Sequence, residues 1–236
     1  IIHIFYYLHI NKQNNKCHLV HLFHKEKDTG KDVWHINMLL ETTYIKFVNP
    51  FYVLSMGKCF YIPFSSLVKG FTQLFVIPYD AQSIEGQKPI QITNSTIEKI
   101  YLYGLSTKDN FLHIVWSEFN ETGLTVKYTK ISQLETKIEE PSNIVSLSER
   151  SNCSFPILLY YNNVLWCTWT QMNKLYACYS KDLGEKWSLP LLRQESQNIN
   201  FKLYGYRTNY IKDHQNIFCD YLYGTLYPKN NFLGFG

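Results

Sequence analysis

The stretch NFLHIVWSE, residues 110–118, is matched in register by NVLWCTWTQ, residues 163–171. Both stretches have Asn at the first position, Leu at the third, Trp at the seventh and Ser or Thr at the eighth. Similar apolar segments recur along the chain, and the five of them start at Ile2, Phe60, Leu112, Leu165 and Phe218. Successive starts are 52 to 58 residues apart, and a near-constant spacing of this kind is typical of a repeat architecture.

Each repeated segment has the same neighbours. An apolar strand and a turn precede it, and a third strand, a polar turn and a short fourth strand follow it. In the third repeat these strands read YLYGLS, LHIVWS, LTVKYTKI and NIVSL. No segment of helical length has a convincing 3.6-residue period, so the pattern predicts antiparallel meanders of four strands.

Four antiparallel strands repeated five times predict an all-β fold, a five-bladed β-propeller of four-stranded antiparallel blades. We expect one domain over residues 1–236. The expected blades span residues 1–48, 49–97, 98–150, 151–199 and 200–236, and the first and last are incomplete. A two-sheet sandwich would account for the number of strands but not for the recurring register.

The composition excludes several classes of protein. The chain has 236 residues, of which 45% are hydrophobic and 17% aromatic, and this favours a folded, strand-rich protein. The net charge is +4 and only three Arg occur, so no nucleic-acid partner is expected. Six Cys occur without a CxxC motif, so we expect reduced thiols and no zinc knuckle or redox motif.

The opening run IIHIFYYLHI has neither a basic region nor a cleavage site of small residues, so it is not expected to be a signal peptide. It is too short and contains too many His residues to span a membrane. Because the sequence starts with Ile rather than Met, we expect the natural chain to begin earlier. The sequence assigns no compartment.

A second decisive stretch is YSKDLGEKWS, residues 179–188, which has the pattern S-x-D-x-G-x-x-W. The Asp182 carboxylate can accept hydrogen bonds from nearby backbone N–H groups and close a tight loop, with Ser180 beside it. Gly184 allows a positive φ, and Trp187 can anchor the next strand through its large ring. The pattern therefore predicts a structural turn between the third and fourth strands of the fourth blade.

This motif resembles the Asp box, or BNR repeat, of sialidase-like β-propellers. A degenerate copy with altered spacing occurs in the first blade, where Asp28, Gly30 and Trp34 are present. The repeat plan extends over nearly the whole chain, whereas the specific motif covers eight residues. The resemblance implies that the motif faces away from the ligand-binding end of the blades.

The catalytic motifs of sialidases are not found. The resemblance would imply three Arg that grip the substrate carboxylate, a Tyr–Glu nucleophile pair and an Asp acid/base. The chain has only Arg150, Arg193 and Arg207, and it has no R-I-P-like strand near its start. We therefore assign no catalytic residue.

Five residues are candidates for ligand binding. Arg207 lies between aromatic neighbours at the end of an expected inner strand, with Tyr204 and Tyr206 before it. Glu118 directly follows a repeated strand, but its counterparts in the other repeats are not carboxylates. Asp220 is expected inside an apolar strand, as an inward-facing functional group or as a structural carboxylate with satisfied hydrogen bonds.

The closely spaced histidines His18, His21 and His24 do not predict a metal site. On a strand, His18 and His24 would point to one side and His21 to the other. No phosphate-binding, dinucleotide-binding or HExxH motif occurs, so no cofactor or metal is expected.

The function expected from these observations is that of a non-catalytic binding module with a glycan or a protein as partner. Its aromatic residues would supply faces for sugar rings or peptide side chains. A sialidase-like glycoside hydrolase is one alternative, and it would need at least two carboxylates facing one cavity, with Arg207 or Glu118 in the lining. A structural domain of a larger surface, phage or spore protein is the other alternative.

Overall fold

The structure is all-β and antiparallel, in agreement with the prediction. It is a computed structural model that describes residues 2–11, 15–26, 32–43, 51–56, 58–80, 85–107, 109–134, 137–138, 143–207, 217–226 and 231–235. Within these ranges the strands form five antiparallel sheets, none of which closes on itself. A short 3₁₀ turn, Gln194–Ser196, connects the fourth sheet to the fifth along the chain.

Apart from one strand of the fourth sheet, the sheets follow one another along the chain. The first has the order β1-β2-β3, with strands β1 (Ile2–Asn11), β2 (Lys16–Glu26) and β3 (Asp32–Thr43). The second has the order β4-β5-β6-β7 and an extra strand on β6, with strands β4 (Leu54–Met56), β5 (Cys59–Val68), β6 (Phe71–Asp80), β7 (Glu85–Gly86) and β8 (Ile90–Gln91).

The third sheet has the order β12-β11-β10-β9 and an extra strand on β11, with strands β9 (Glu98–Ser106), β10 (Phe111–Asn120), β11 (Gly123–Leu134), β12 (Lys137–Ile138) and β13 (Val145–Ser146). The fourth has the order β17-β16-β15-β14-β19, with strands β14 (Cys153–Tyr161), β15 (Val164–Gln171), β16 (Lys174–Ser180), β17 (Leu191–Leu192) and β19 (Ile217–Phe218). The fifth has the order β18-β20-β21, with strands β18 (Lys202–Gly205), β20 (Tyr221–Thr225) and β21 (Asn231–Leu233).

Tight turns set the register of the fourth sheet. The turn between β14 and β15 consists of Asn162 and Asn163, whose φ angles are 48° and 61°. Two positive φ angles in a two-residue hairpin loop define a turn whose twist matches that of the flanking strands, and Asn tolerates this conformation well. Met172 and Asn173 form the next turn in the same way, with φ angles of 49° and 59°.

The hydrophobic core lies between consecutive sheets. Between the first and second sheets it contains Leu19, Ile62, Phe64, Ile77 and Tyr79. Between the second and third it contains Leu54, Tyr61, Leu74, Val76, Leu102, Leu112, Ile114 and Trp116. A larger cluster joins the third, fourth and fifth sheets and includes Tyr103, Tyr128, Leu158, Trp169, Leu175 and Tyr223. All six cysteines are free thiols.

The expected position of Asp220 inside a strand is wrong. The segment starting at Phe218 is divided between two sheets: β19 pairs with β14, and β20 pairs with β18. Asp220 lies in the bend between β19 and β20, where the chain passes from the fourth sheet to the fifth. Its backbone carbonyl accepts a hydrogen bond from the Tyr206 N–H at 2.7 Å, so hydrogen bonding outside the sheets holds this bend.

Candidate functional site

The first strand of the third sheet contains a bulge. Tyr103 lies opposite Val115, and Ile100 lies opposite Ser117, so two residues of β9 face the single residue Trp116 on β10. One of the two is Tyr101, whose φ is 56°. A positive φ is unfavourable for a large aromatic residue and persists only where the surroundings enforce it.

The fourth sheet has the same bulge at the equivalent place. Ser154 lies opposite Thr170, and Ile157 lies opposite Thr168, so Phe155 and Pro156 face the single residue Trp169. The φ of Phe155 is 52°. Bulges redirect side chains and are common beside binding sites, so two equivalent bulges with strained aromatic residues mark this region as a candidate site.

The two bulges bring their aromatic rings together. The ring centroids of Tyr101 and Phe155 are 4.2 Å apart, and Phe155 is 44% exposed. The rings line a cavity of about 230 Å³, which we call the aromatic cleft. The other residues that line the aromatic cleft are Tyr52, Leu102, Tyr103, Pro156, Ile157, Leu203 and Tyr221.

A second cavity, the side groove, has a volume of about 540 Å³ and shares Phe155 and Leu203 with the aromatic cleft. Its polar and apolar lining is completed by Thr170, Asn173, Ile199, Asn200, Phe201, Lys202 and Tyr223. The Tyr223 hydroxyl donates a hydrogen bond to the Phe155 carbonyl oxygen at 2.7 Å. This bond helps to hold the strained residue that separates the two cavities.

Tyr103 joins the third sheet to the bend between β19 and β20. Its hydroxyl oxygen accepts a hydrogen bond from the Asp220 backbone N–H at 3.1 Å. Burial and the nearby Asp220 carboxylate raise the pKa of Tyr103 well above its usual value, so the phenol is neutral. The side chain therefore acts as an uncharged bridge in the wall of the aromatic cleft.

Three of the predicted ligand-binding residues come together outside the aromatic cleft. Arg207 Nη1 lies 3.2 Å from Asp220 Oδ1 and donates a hydrogen bond to the Tyr206 carbonyl oxygen at 2.6 Å. The Arg207 and Asp220 side chains are 76% and 39% exposed, so this is a solvent-exposed ion pair. Tyr204 lies on β18 opposite Leu222.

Glu118 lies at the other end of β9 from this ion pair. It faces Lys99 near the beginning of β9, whereas Asp220 borders a cavity together with Ser106 at the end of the strand. Glu118 Oε1 accepts a hydrogen bond from Trp116 Nε1 at 3.2 Å, and Oε2 lies 3.8 Å from Lys127 Nζ. The structure thus separates Glu118 from Arg207 and Asp220.

A buried cation lies beside Glu118. Lys99 is 1% exposed, and its Nζ donates hydrogen bonds of 2.8 Å to the backbone carbonyl oxygen and to Oγ of Ser95. Desolvation lowers the pKa of Lys99, while Glu118 and Glu98 act in the opposite direction. These contacts give Glu118 and Lys99 structural roles in a polar network.

The S-x-D-x-G-x-x-W motif forms a turn after β16. Asp182 Oδ1 accepts hydrogen bonds from the Lys186 N–H at 2.9 Å and from the Ser180 hydroxyl at 2.7 Å. The Gly184 N–H donates to Ser180 Oγ at 2.7 Å, and the φ of Gly184 is 86°. The hydrogen bonds from Lys186 and Ser180 lower the pKa of Asp182, the one from Lys186 most strongly.

The same turn docks on the third sheet. The Trp187 ring packs edge-on against the Tyr128 ring, with centroids 4.9 Å apart. Lys130 forms an ion pair with Glu185. Tyr128 is also hydrogen bonded within its own sheet, since its hydroxyl oxygen lies 2.7 Å from His113 Nδ1. The motif therefore fastens the fourth sheet to the third, at a distance from the aromatic cleft.

The buried histidine of β2 has structural partners. His21 is fully buried, with Nε2 at 2.9 Å from His3 Nδ1 and Nδ1 at 2.7 Å from the Tyr79 hydroxyl oxygen. Burial lowers the pKa of His21 to about 4, with a smaller contribution from His3. Among the residues that the structure describes, no group of three or more His, Cys, Asp or Glu side chains could hold a metal ion.

Sequence reasoning missed the residues of the aromatic cleft because it favoured Arg and carboxylate side chains. Tyr101 lies in the strand YLYGLS of the third repeat and Phe155 in the equivalent segment FPILLYY of the fourth, and the sequence identifies both only as apolar strands. The signal that could have identified these two residues is their position. Tyr101 lies opposite Trp116 and Phe155 opposite Trp169, which is the Trp that the two repeats share. A one-residue bulge is not visible in the spacing of the Trp residues themselves.

Comparison with known proteins leaves the site to be interpreted from its geometry. No protein-family model matches the chain, and no curated protein gives a significant match. Across the described ranges, no helix is long and apolar enough to cross a membrane.

Proposed function

We propose that this protein is a non-catalytic binding module, built as a five-bladed β-propeller, whose aromatic cleft binds a glycan. The observation that carries the proposal is the pair of aromatic rings, Tyr101 and Phe155, presented by equivalent bulges in neighbouring sheets. Exposed aromatic faces stack on the apolar faces of sugar rings, and rigid strands hold these two faces in place.

The propeller architecture is supported by the order of the sheets. The five sheets begin within the five expected blade ranges, and consecutive sheets share core clusters. Residues from the third, fourth and fifth sheets line the aromatic cleft together with Tyr52, which precedes β4, as inner strands around an axis would. The Asp-box resemblance fits the turn after β16, which lies away from the cleft.

The two cavities together fit a ligand of more than one sugar ring. The aromatic cleft and the side groove have volumes of about 230 and 540 Å³. Their combined volume lies within the usual range of roughly 300–1,000 Å³ for small-molecule sites. The aromatic cleft would hold one ring on Tyr101 and Phe155. Asn173, Asn200 and Lys202 would hydrogen bond to the hydroxyl groups of the next ring in the side groove.

The positions of Glu118 and Asp220, the two carboxylates that the sequence singles out, favour binding over hydrolysis. A glycoside hydrolase of the usual kind needs two carboxyl groups about 5 to 10 Å apart across one bond. Glu118 and Asp220 lie near opposite ends of β9, and each is paired with a basic side chain. Arg207 is likewise engaged by Asp220 and does not line the cleft.

The proposal is tested by glycan-array screening followed by calorimetry on the best ligand. Replacing Phe155 or Tyr101 by Ala is expected to weaken binding about fivefold, since stacking on an aromatic ring contributes about 1 kcal/mol. The matched control is Phe119→Ala, because Phe119 is 50% exposed on the same sheet as Tyr101 but outside the cleft.

Two results would contradict the proposal. One is unchanged affinity in both cleft variants, with wild-type circular dichroism showing that they are folded. The other is turnover of a fluorogenic sialoside that is abolished by Glu118→Gln or Arg207→Ala, because that result would identify an enzyme.

A further inference from the structure

Two buried cysteines face each other across the fourth sheet. Cys167 on β15 lies directly opposite Cys178 on β16. The side chains of two directly opposed residues project from the same face of a sheet, and these two cysteines are 0% and 1% exposed. Both are free thiols in the structure, and they hydrogen bond to each other.

This pair has the backbone geometry that a cross-strand disulfide needs. Tyr179, the residue after Cys178, donates its backbone N–H away from β15, to Ser188 Oγ at 3.0 Å. Because successive N–H groups of a strand point to alternate sides, the N–H of Cys178 points towards β15, and the two cysteines form a hydrogen-bonded pair. The α-carbons of such a pair are typically about 5.5 Å apart, which lies within the usual disulfide span of roughly 4.4–6.8 Å.

Packing alone does not require cysteine at these two positions. The equivalent opposed positions hold Ile62 and Ile77 in the second sheet, and Ile114 and Thr129 in the third. All four of these residues are buried. Within the described strands, the other cysteines lie opposite residues of other types; they are Cys17, Cys59 and Cys153. The facing thiols are therefore a specific feature of the fourth sheet.

We infer that Cys167 and Cys178 are a disulfide site, which is filled while the chain folds in oxidising surroundings. The hairpin of β15 and β16 closes through the two-residue turn of Met172 and Asn173. Local contacts thus set its register before the neighbouring sheets cover the thiols.

Burial then protects whichever redox state the pair has acquired. In the finished fold, burial raises the pKa of Cys167 well above its usual value, with a further contribution from Cys178. A buried neutral thiol is a poor nucleophile, because the thiolate is the form that attacks a disulfide. The folded chain is therefore expected to exchange slowly with outside thiols and disulfides.

The oxidant for this step is a small disulfide such as oxidised glutathione. The thiolate of one cysteine attacks a glutathione sulfur, forms a mixed disulfide and releases one glutathione thiolate. The thiolate of the other cysteine attacks the protein sulfur of this mixed disulfide, closes the bond between the two cysteines and releases the second glutathione. In total the two cysteines lose two protons and two electrons, and the glutathione disulfide gains them.

The inference is tested by refolding the full chain from guanidinium chloride in a buffer of reduced and oxidised glutathione, blocking free thiols and digesting with trypsin. Cleavage after Lys174 places Cys167 on the peptide of residues 151–174 and Cys178 on that of residues 175–181, so mass spectrometry detects the disulfide as a link between them. Most refolded molecules are expected to contain the link. It is expected to raise the Tm by about 5 to 10 °C, because it restricts the unfolded chain. The already folded, reduced chain is expected to form the link at least about tenfold more slowly in the same buffer.

The matched control is Cys153→Ser, because Cys153 lies on the same tryptic peptide as Cys167 but opposite Gln171. This variant is expected to keep the link and the rise in Tm, whereas Cys167→Ser and Cys178→Ser are expected to lose both. Circular dichroism establishes that each variant is folded. A refolded wild-type chain without the link, a link that persists in Cys167→Ser, or equally fast linkage of the already folded chain would overturn the inference.

Discussion

The hydroxyl group of Tyr128 lies so close to Gly184 that no side chain fits between them. A β-carbon at Gly184 would overlap the hydroxyl oxygen and would lie 2.6 Å from Cζ of the same ring. Tyr128 belongs to the third sheet and Gly184 to the turn that follows the third strand of the fourth. The turn and the neighbouring sheet are therefore fitted to each other at a single glycine.

Gly184→Ala is expected to lower the free energy of unfolding by about 3 kcal/mol. The β-carbon collides with Tyr128, and an alanine at φ 86° is strained in addition. Urea unfolding followed by circular dichroism measures the loss. The control is Gly205→Ala, since a β-carbon there has no atom within 4 Å. Equal losses for the two variants would show that the contact does not matter.

Stability is expected to fall as the pH decreases from about 6.5 to about 4, partly because of His21. Burial lowers its folded-state pKa to about 4, whereas the unfolded value is near 6.5. In this window the unfolded chain binds a proton that the folded chain does not, so acidification favours unfolding. The contribution is about 3 kcal/mol between neutral pH and pH 4.

The measurement is the free energy of unfolding at several pH values for the wild type and for His21→Gln. The variant is expected to have lower stability at pH 7 but a flatter dependence on pH between 4 and 6.5. His18→Gln is the control, because His18 lies on the other face of the same strand and is only half-buried. A wild-type slope in His21→Gln would refute this account of the pH dependence.

Tyr101→Gly is expected to be about 1 kcal/mol more stable than Tyr101→Ala. Both substitutions remove the ring, but only glycine adopts a φ of 56° without strain. Thermal or urea unfolding of the two variants gives the difference directly. At Tyr103, which has no positive φ, the same pair of substitutions is expected to show no advantage for glycine. The opposite order at Tyr101 would mean that the bulge relaxes once the ring is lost.

The repeat pattern predicts the strands well because each strand carries its own apolar signal. The spacing of Trp116 and Trp169 identifies equivalent strands, and the S-x-D-x-G-x-x-W pattern predicts the turn around Asp182 from local chemistry alone. The bulges could not be predicted in this way, since one extra residue in β9 changes pairing but not hydrophobicity. The position of Asp220 depends on which sheet each neighbour joins, and that choice is made by contacts distant in sequence.

From the sequence, candidate site residues can be selected by residue type but not by their position in the fold. Arg207 and Asp220 do come together, but their pairing leaves Glu118 near the far end of β9. The aromatic residues of the cleft each occupy an ordinary apolar strand position. They come together only when strands from several sheets converge, which is a property of the tertiary structure.

The hydrogen bond between Tyr103 and Asp220 has a consequence for folding kinetics. It joins residues that are 117 positions apart, whereas the hairpins of the individual sheets join close neighbours along the chain. Because local contacts form faster than distant ones, the separate sheets are expected to form first and the cleft wall last. The aromatic cleft would then be the slowest part of the molecule to be completed.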